Sequence, residues 1–118
     1  MKKMLVVPAV LALSAMILLG GCASAKFIST GTSVAAKADG CQIEIFDSKL
    51  PDRDYEELGV IEGDGFMGAA TLQKVLPKMK IQACRAGGDA IILKTSQKFY
   101  NGLDDKFFIT ATVVRWKD

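Results

Sequence analysis

An apolar run from Met4 to Leu19, preceded by Lys2 and Lys3 and closed by Gly20, Gly21 and Cys22, takes the first 21 residues of this chain out of the folding problem. The positive start stays cytoplasmic, and the run of about 16 residues falls short of the roughly 20 that a helix needs to cross a bilayer. Small side chains at its end let the backbone lie extended in a peptidase cleft. An ordinary secretory signal, or a membrane anchor with a chance cysteine, is the competing reading; an ordinary cleavage site carries residues such as Ala-x-Ala and no cysteine. Removal of residues 1–21 leaves 97 of the 118 residues, enough for one small domain.

Leu19-Gly20-Gly21-Cys22 resembles the lipobox of bacterial lipoproteins and matches it at every position. The resemblance implies that the Cys22 thiolate takes a diacylglyceryl group, that cleavage follows ahead of it, and that the new N-terminus is acylated, as with palmitate. No other cofactor is expected. At about 0.8 kcal/mol per buried methylene, two or three acyl chains anchor a protein permanently. In that family an Asp after the cysteine retains the protein in the inner membrane. Ala23 stands there instead, so the implied destination is the periplasmic face of the outer membrane.

Loss of Lys2 and Lys3 takes the basic residues from 15 to 13, against 13 acidic ones. The apparent basic balance disappears, and no nucleic-acid partner is implied. Residues 22–40 are rich in Ala, Ser, Thr, Gly and Lys, with Phe27, Ile28 and Val34 as their larger apolar groups, and read as a lipidated flexible tether. Such a coil reaches roughly 20 to 25 Å, enough to hold a domain just off a membrane. A short strand over Phe27 to Thr30 is the alternative.

The folded domain is expected over 41–118. Gln42 to Phe46 reads as a strand ended by Asp47-Ser48 and Pro51-Asp52, and a second strand covers Leu58 to Gly63. Gly63, Gly65 and Gly68 suggest a flexible loop carrying Phe66 and Met67. From about Ala69, the spacing of Leu72, Val75, Leu76, Met79, Ala83 and Ala86 predicts a helix with one apolar face, stopped by Gly87-Gly88. Pro77 predicts a kink or a restart with the proline in a first turn. Asp89 to Lys98 and Lys106 to Trp116 alternate as strands around a hairpin turn at Asn101-Gly102. The sum is an α+β fold of order β-β-α-β-β, one sheet covered by one helix.

Tyr55, Leu58-Gly59, Ile61, Ala83 and Gly87-Gly88-Asp89-Ala90-Ile91-Ile92 resemble a pattern shared by the Rcs stress-sensor lipoprotein (RcsF) family and the YbjQ-like small domains. The resemblance spans roughly Cys41 to Ser96. It implies either envelope stress sensing through protein contacts, or a ligand-binding oligomer of the YbjQ-like kind.

With Cys22 consumed by lipid, Cys41 and Cys84 are the remaining pair in an oxidising compartment, and a disulfide is expected between them. In the chain-entropy picture such a link is worth about 4 kcal/mol. Two separately buried thiols are the alternative.

Catalysis is not expected. The chain has no histidine, so the usual base near neutral pH is absent, and no activated-serine motif is present. A zinc or copper site lacks its usual ligands. Asp52, Asp54, Glu56 and Glu57 lack calcium-loop spacing and read as a solvated turn, as do Asp104 and Asp105. Phe66-Met67 and Phe99-Tyr100 put large apolar groups in turns, which marks them as a candidate partner-binding patch; folding back over the core is the alternative. A free sheet edge is a further place to accept a partner strand.

Overall fold

The computed structural model describes residues 22–99 and 105–117. They form one five-stranded sheet with one helix on a single face, an α+β arrangement. The strands are β1 (Cys22–Ser29), β2 (Glu44–Phe46), β3 (Tyr55–Phe66), β4 (Ala90–Phe99) and β5 (Lys106–Trp116), and the helix is α1 (Leu72–Arg85). Their order across the sheet is β1-β3-β5-β4-β2, antiparallel except for the β2–β4 pair. Because β3 and β4 both run antiparallel to β5, the β3-α1-β4 unit is a crossover with β5 between its two strands. The expected hairpin turn at Asn101-Gly102 lies outside the described residues.

The core sits between α1 and the inner face of the sheet. Alternation along β5 sends Ile109, Ala111 and Val113 to that face, where Ile61, Ile91 and Leu93 meet Val75, Met79 and Ala83 of the helix. Leu72, Leu76 and Ala86 flank this contact partly buried, so the expected apolar face of the helix is the one that packs. Thr71 caps the helix by accepting the Lys74 N–H. At the other end Gly87, at φ 82°, donates to Cys84 and Gly88 donates to Ala83, the paired bonds of a left-handed glycine stop. Pro77 produces neither a break nor a restart. It lies within the helix on an exposed position, and the carbonyl whose bond it forfeits belongs to Gln73, also exposed, so the lost bond falls on the solvent side of the helix.

Two expectations need correcting. Gly63 and Gly65 are not in a flexible loop: β3 continues through them to Phe66. They are glycines because the helix lies close over the strand. A Cβ on Gly63 would come within 2.6 Å of a Val75 methyl, and one on Gly65 would run into the Ala69 carbonyl. The second correction concerns 22–40, which is no free tether. Its first eight residues are the edge strand β1, paired with β3 from Cys22↔Phe66 to Ser29↔Gly59. Ala23, Ala25 and Phe27 face the core, and the small alanines let α1 approach. The strand thus covers more than the alternative at Phe27 to Thr30.

Residues 30–41 are then fastened to the end of the helix. The Lys37 N–H donates to the Cys84 carbonyl at 2.8 Å, and the Lys37 ammonium meets Asp89 at 2.5 Å. Arg85 grips Asp39 through two bonds of 2.9 and 3.0 Å. Cys41 and Cys84 are joined by a disulfide across 43 positions of sequence, with Cα atoms 5.9 Å apart.

Replacing Cys41 and Cys84 with Ala should lower the unfolding free energy in urea by about 4 kcal/mol and raise the m-value, because the unlinked unfolded chain is more expanded. Gly65→Ala should cost about 1–3 kcal/mol. Gly68→Ala, whose Cβ would meet nothing within 4 Å, should stay within about 0.5 kcal/mol of the parent. Equal midpoints for the two glycine variants would show that β3 does not need the close approach.

Candidate functional site

The outer face of the sheet divides in two. At one end Ala90, Ile92 and Val114 are buried beneath Phe46, Tyr55 and Trp116, a second small core. Phe46 meets Trp116 edge-on at 6.2 Å between ring centres, and the Arg53 guanidinium lies 4.5 Å from the Trp116 ring centre. At the opposite end nothing comparable covers the sheet among the described residues.

That uncovered end holds most of the site expected from the sequence. Residues directly opposite one another in an antiparallel ladder share a face, so the register Cys22↔Phe66↔Lys106↔Phe99 makes one row across β1, β3, β5 and β4. At about 4.8 Å per strand the row is roughly 14 Å wide. Cys22 is exposed, and Phe66 and Phe99 are 40% and 53% exposed. The Lys106 ammonium lies 5.9 Å from the Phe66 ring centre. Met67 follows Phe66 in a 3-10 turn (Met67–Ala69), 61% exposed and at φ 54°, a backbone region that side-chain-bearing residues rarely occupy. Its N–H donates to the Asp105 carbonyl. Tyr100 lies outside the described residues. Phe66, Met67 and Phe99 do not fold back over the core.

Lys106 and Phe108 belong to the same surface and were not singled out from the sequence. Phe108, opposite Asp64 and Gln97, lies one row in from Phe66. Phe107-Phe108 carried a signal: neighbours in a strand face opposite ways, so only one of two adjacent phenylalanines reaches the core. Phe107 is the one that packs there. Asp64 is occupied by the Ser24 hydroxyl across the β1–β3 ladder.

Glu56, one of the acidic residues singled out from the sequence, lies away from this end and serves elsewhere, as do Asp39 and Asp89. Glu56 is paired with Arg115 at 2.9 Å, and hydrogen bonds from the Thr32 hydroxyl and then from Arg115 hold its carboxyl below the usual range. Asp39 is lowered by its bonds to Arg85. For Asp89, burial pushes the carboxyl up, but the Lys37 ammonium, the Trp116 N–H at 2.8 Å and the Arg53 charge outweigh it and leave the group lowered. Asp89 therefore ties the 37–41 segment to the end of β5, a structural duty.

Among the described residues no three His, Cys, Asp or Glu side chains converge on a metal position. Two clefts between β1 and α1, of about 190 and 290 Å³, are smaller than usual for drug-sized ligands. No described helix is long and apolar enough to cross a membrane. Comparison with protein-family models, with curated proteins and with solved structures found no match.

The lowered carboxyls of Asp39, Glu56 and Asp89 set a direction for acid stability. Ionised in the fold at a pH where the unfolded chain takes up protons, they stabilise fully above the unfolded carboxylate range near pH 4. The contribution is lost as pH falls through and below that range. The melting temperature should be flat above about pH 5 and drop towards pH 3, and Asp89→Asn should make the drop shallower. An acid limb as steep in Asp89→Asn as in the parent would remove Asp89 from this role.

Proposed function

We propose that the chain is a lipoprotein anchored through acyl groups on Cys22 to the periplasmic face of the outer membrane. Its domain works there by contact with other envelope proteins rather than by catalysis. One observation carries the reading: the cysteine that closes the Leu19-Gly20-Gly21-Cys22 motif is exposed and is the first residue of the fold's edge strand. Nothing in the domain has to unravel for its thiol or its amino terminus to be acylated. The Cys41–Cys84 disulfide supports an oxidising compartment. The resemblance to the Rcs stress-sensor lipoproteins favours sensing or signalling as the purpose of those contacts.

The YbjQ-like oligomer is the second reading, and it has its own support. β1 and β2 are the edge strands of the sheet, each with one side unpaired among the described residues. An edge of that kind is where copies join into a ring.

Metabolic labelling with an alkyne palmitate tests the anchor. The parent should incorporate the label and lose residues 1–21, and Cys22→Ser should lose the label and keep those residues, because the acylation that precedes cleavage no longer occurs. A Cys22→Ser protein labelled as fully as the parent, or a parent that takes up no label, would overturn the lipoprotein reading. Size measurement on residues 22–118 alone then separates the two readings, a concentration-independent monomer excluding the ring.

A further inference from the structure

We infer that the uncovered end of the sheet is a membrane-contact surface, on which the domain lies against the same leaflet that holds the acyl chains of Cys22. The inference rests on the lipoprotein reading and goes beyond it. That reading needs only an anchored chain, whereas this one assigns Phe66, Met67, Phe99 and Lys106 as lipid contacts.

The decisive observation is the register. Cys22 stands directly opposite Phe66, so any acyl chain on Cys22 leaves the protein within one strand spacing of an exposed aromatic ring. Since 22–29 is a paired strand, no slack lies between the anchor and the fold. A rigid body attached to a bilayer by one corner presents that corner to it, and the side chains there meet the interface.

Their chemistry suits the interface. Phe66 and Phe99 flank Lys106 in one row, with Met67 beside Phe66 and Phe108 behind it. Aromatic rings settle at the headgroup level, while a lysine stem lies along apolar surface and keeps its ammonium among phosphates. The other half of the same sheet face shows what the chain does when no lipid is at hand: it covers Ala90, Ile92 and Val114 with its own Phe46, Tyr55 and Trp116. Among the described residues, Phe66, Met67, Phe99 and Phe108 stand bare together at the Cys22 end, whereas the other exposed large apolar groups, Ile28 and Leu50, lie outside this cluster. Met67 adds a further sign, because at φ 54° a glycine would hold the turn with less strain, yet a long apolar side chain is kept there and exposed.

Brominated lipid reports contact, because bromine on the acyl chains quenches tryptophan lying within the interface. The chain's one tryptophan, Trp116, pairs with Tyr55 at the far end of β5, roughly 33 Å along the strand from Lys106, and serves as an internal control. The full chain, processed in a bacterial host, would be reconstituted into phosphatidylethanolamine and phosphatidylglycerol vesicles with and without bromine, as parent, Phe66→Trp and Phe99→Trp. Both positions are exposed and already aromatic, and using two keeps one misfolded variant from deciding the result. The added tryptophan should be quenched about threefold or more, consistent with burial to roughly 5–10 Å, while Trp116 emission stays unchanged in the parent. Intact mass of the same samples reports acylation of Cys22. Acylated protein whose added tryptophans are not quenched would overturn the membrane contact and leave the lipoprotein reading standing. Protein without acyl groups would overturn both. Unquenched emission together with cross-linking between copies at this end would assign the patch to self-association instead.

Discussion

The junction at the C-terminal end of α1 is what the rest of the structure hangs on. Four kinds of bond meet there: the left-handed stop at Gly87, the Cys41–Cys84 disulfide, the Arg85–Asp39 fork and the Lys37–Asp89 pair. The two ion pairs are solvent-exposed and contribute little alone. Their place matters more than their strength, because each joins the 37–41 segment to the end of the helix. That fixes where β2 starts and holds the outgoing end of β1 beside β3. Gly87 is needed twice over, since its positive φ forms the stop and a side chain there would strike Val34 and Ala35, just ahead of that segment.

The central fold was legible in the sequence because its signals are local. The period of two in β5 and the spacing of Leu72 to Ala86 reflect burial on one face, and a single burial pattern needs no knowledge of the partner. The stop at Gly87-Gly88 and the cysteine pairing were legible for a similar reason: few residues adopt a left-handed turn, and few pairings exist once Cys22 is set aside.

What escaped was set by close approach. In β1 two of the three core-facing residues, Ala23 and Ala25, are too small to register with Phe27 as an apolar stripe, and they are small because the helix passes over them. Gly63 and Gly65 misled in the same way, since a glycine chosen for lack of a side chain looks like one chosen for freedom of the backbone. The candidate patch was half legible. Phe66, Met67 and Phe99 stood out as apolar residues near turns, but their alignment with Cys22 and Lys106 arises from strand register between segments distant in sequence, which no local pattern carries.

The attachment of Cys22 to the end of a paired strand also has a mechanical side. A pull on that residue along the strand axis loads the β1–β3 hydrogen bonds together, in shear, instead of opening them one after another. Should the ladder yield, residues between Cys22 and Cys41 pay out, and the covalent link to Cys84 then halts the extraction before β2 and the core are reached. The domain therefore carries a built-in limit on how far its attached end is drawn out, because the loop closed between Cys41 and Cys84, which holds β2, β3 and most of α1, cannot be lengthened by that load.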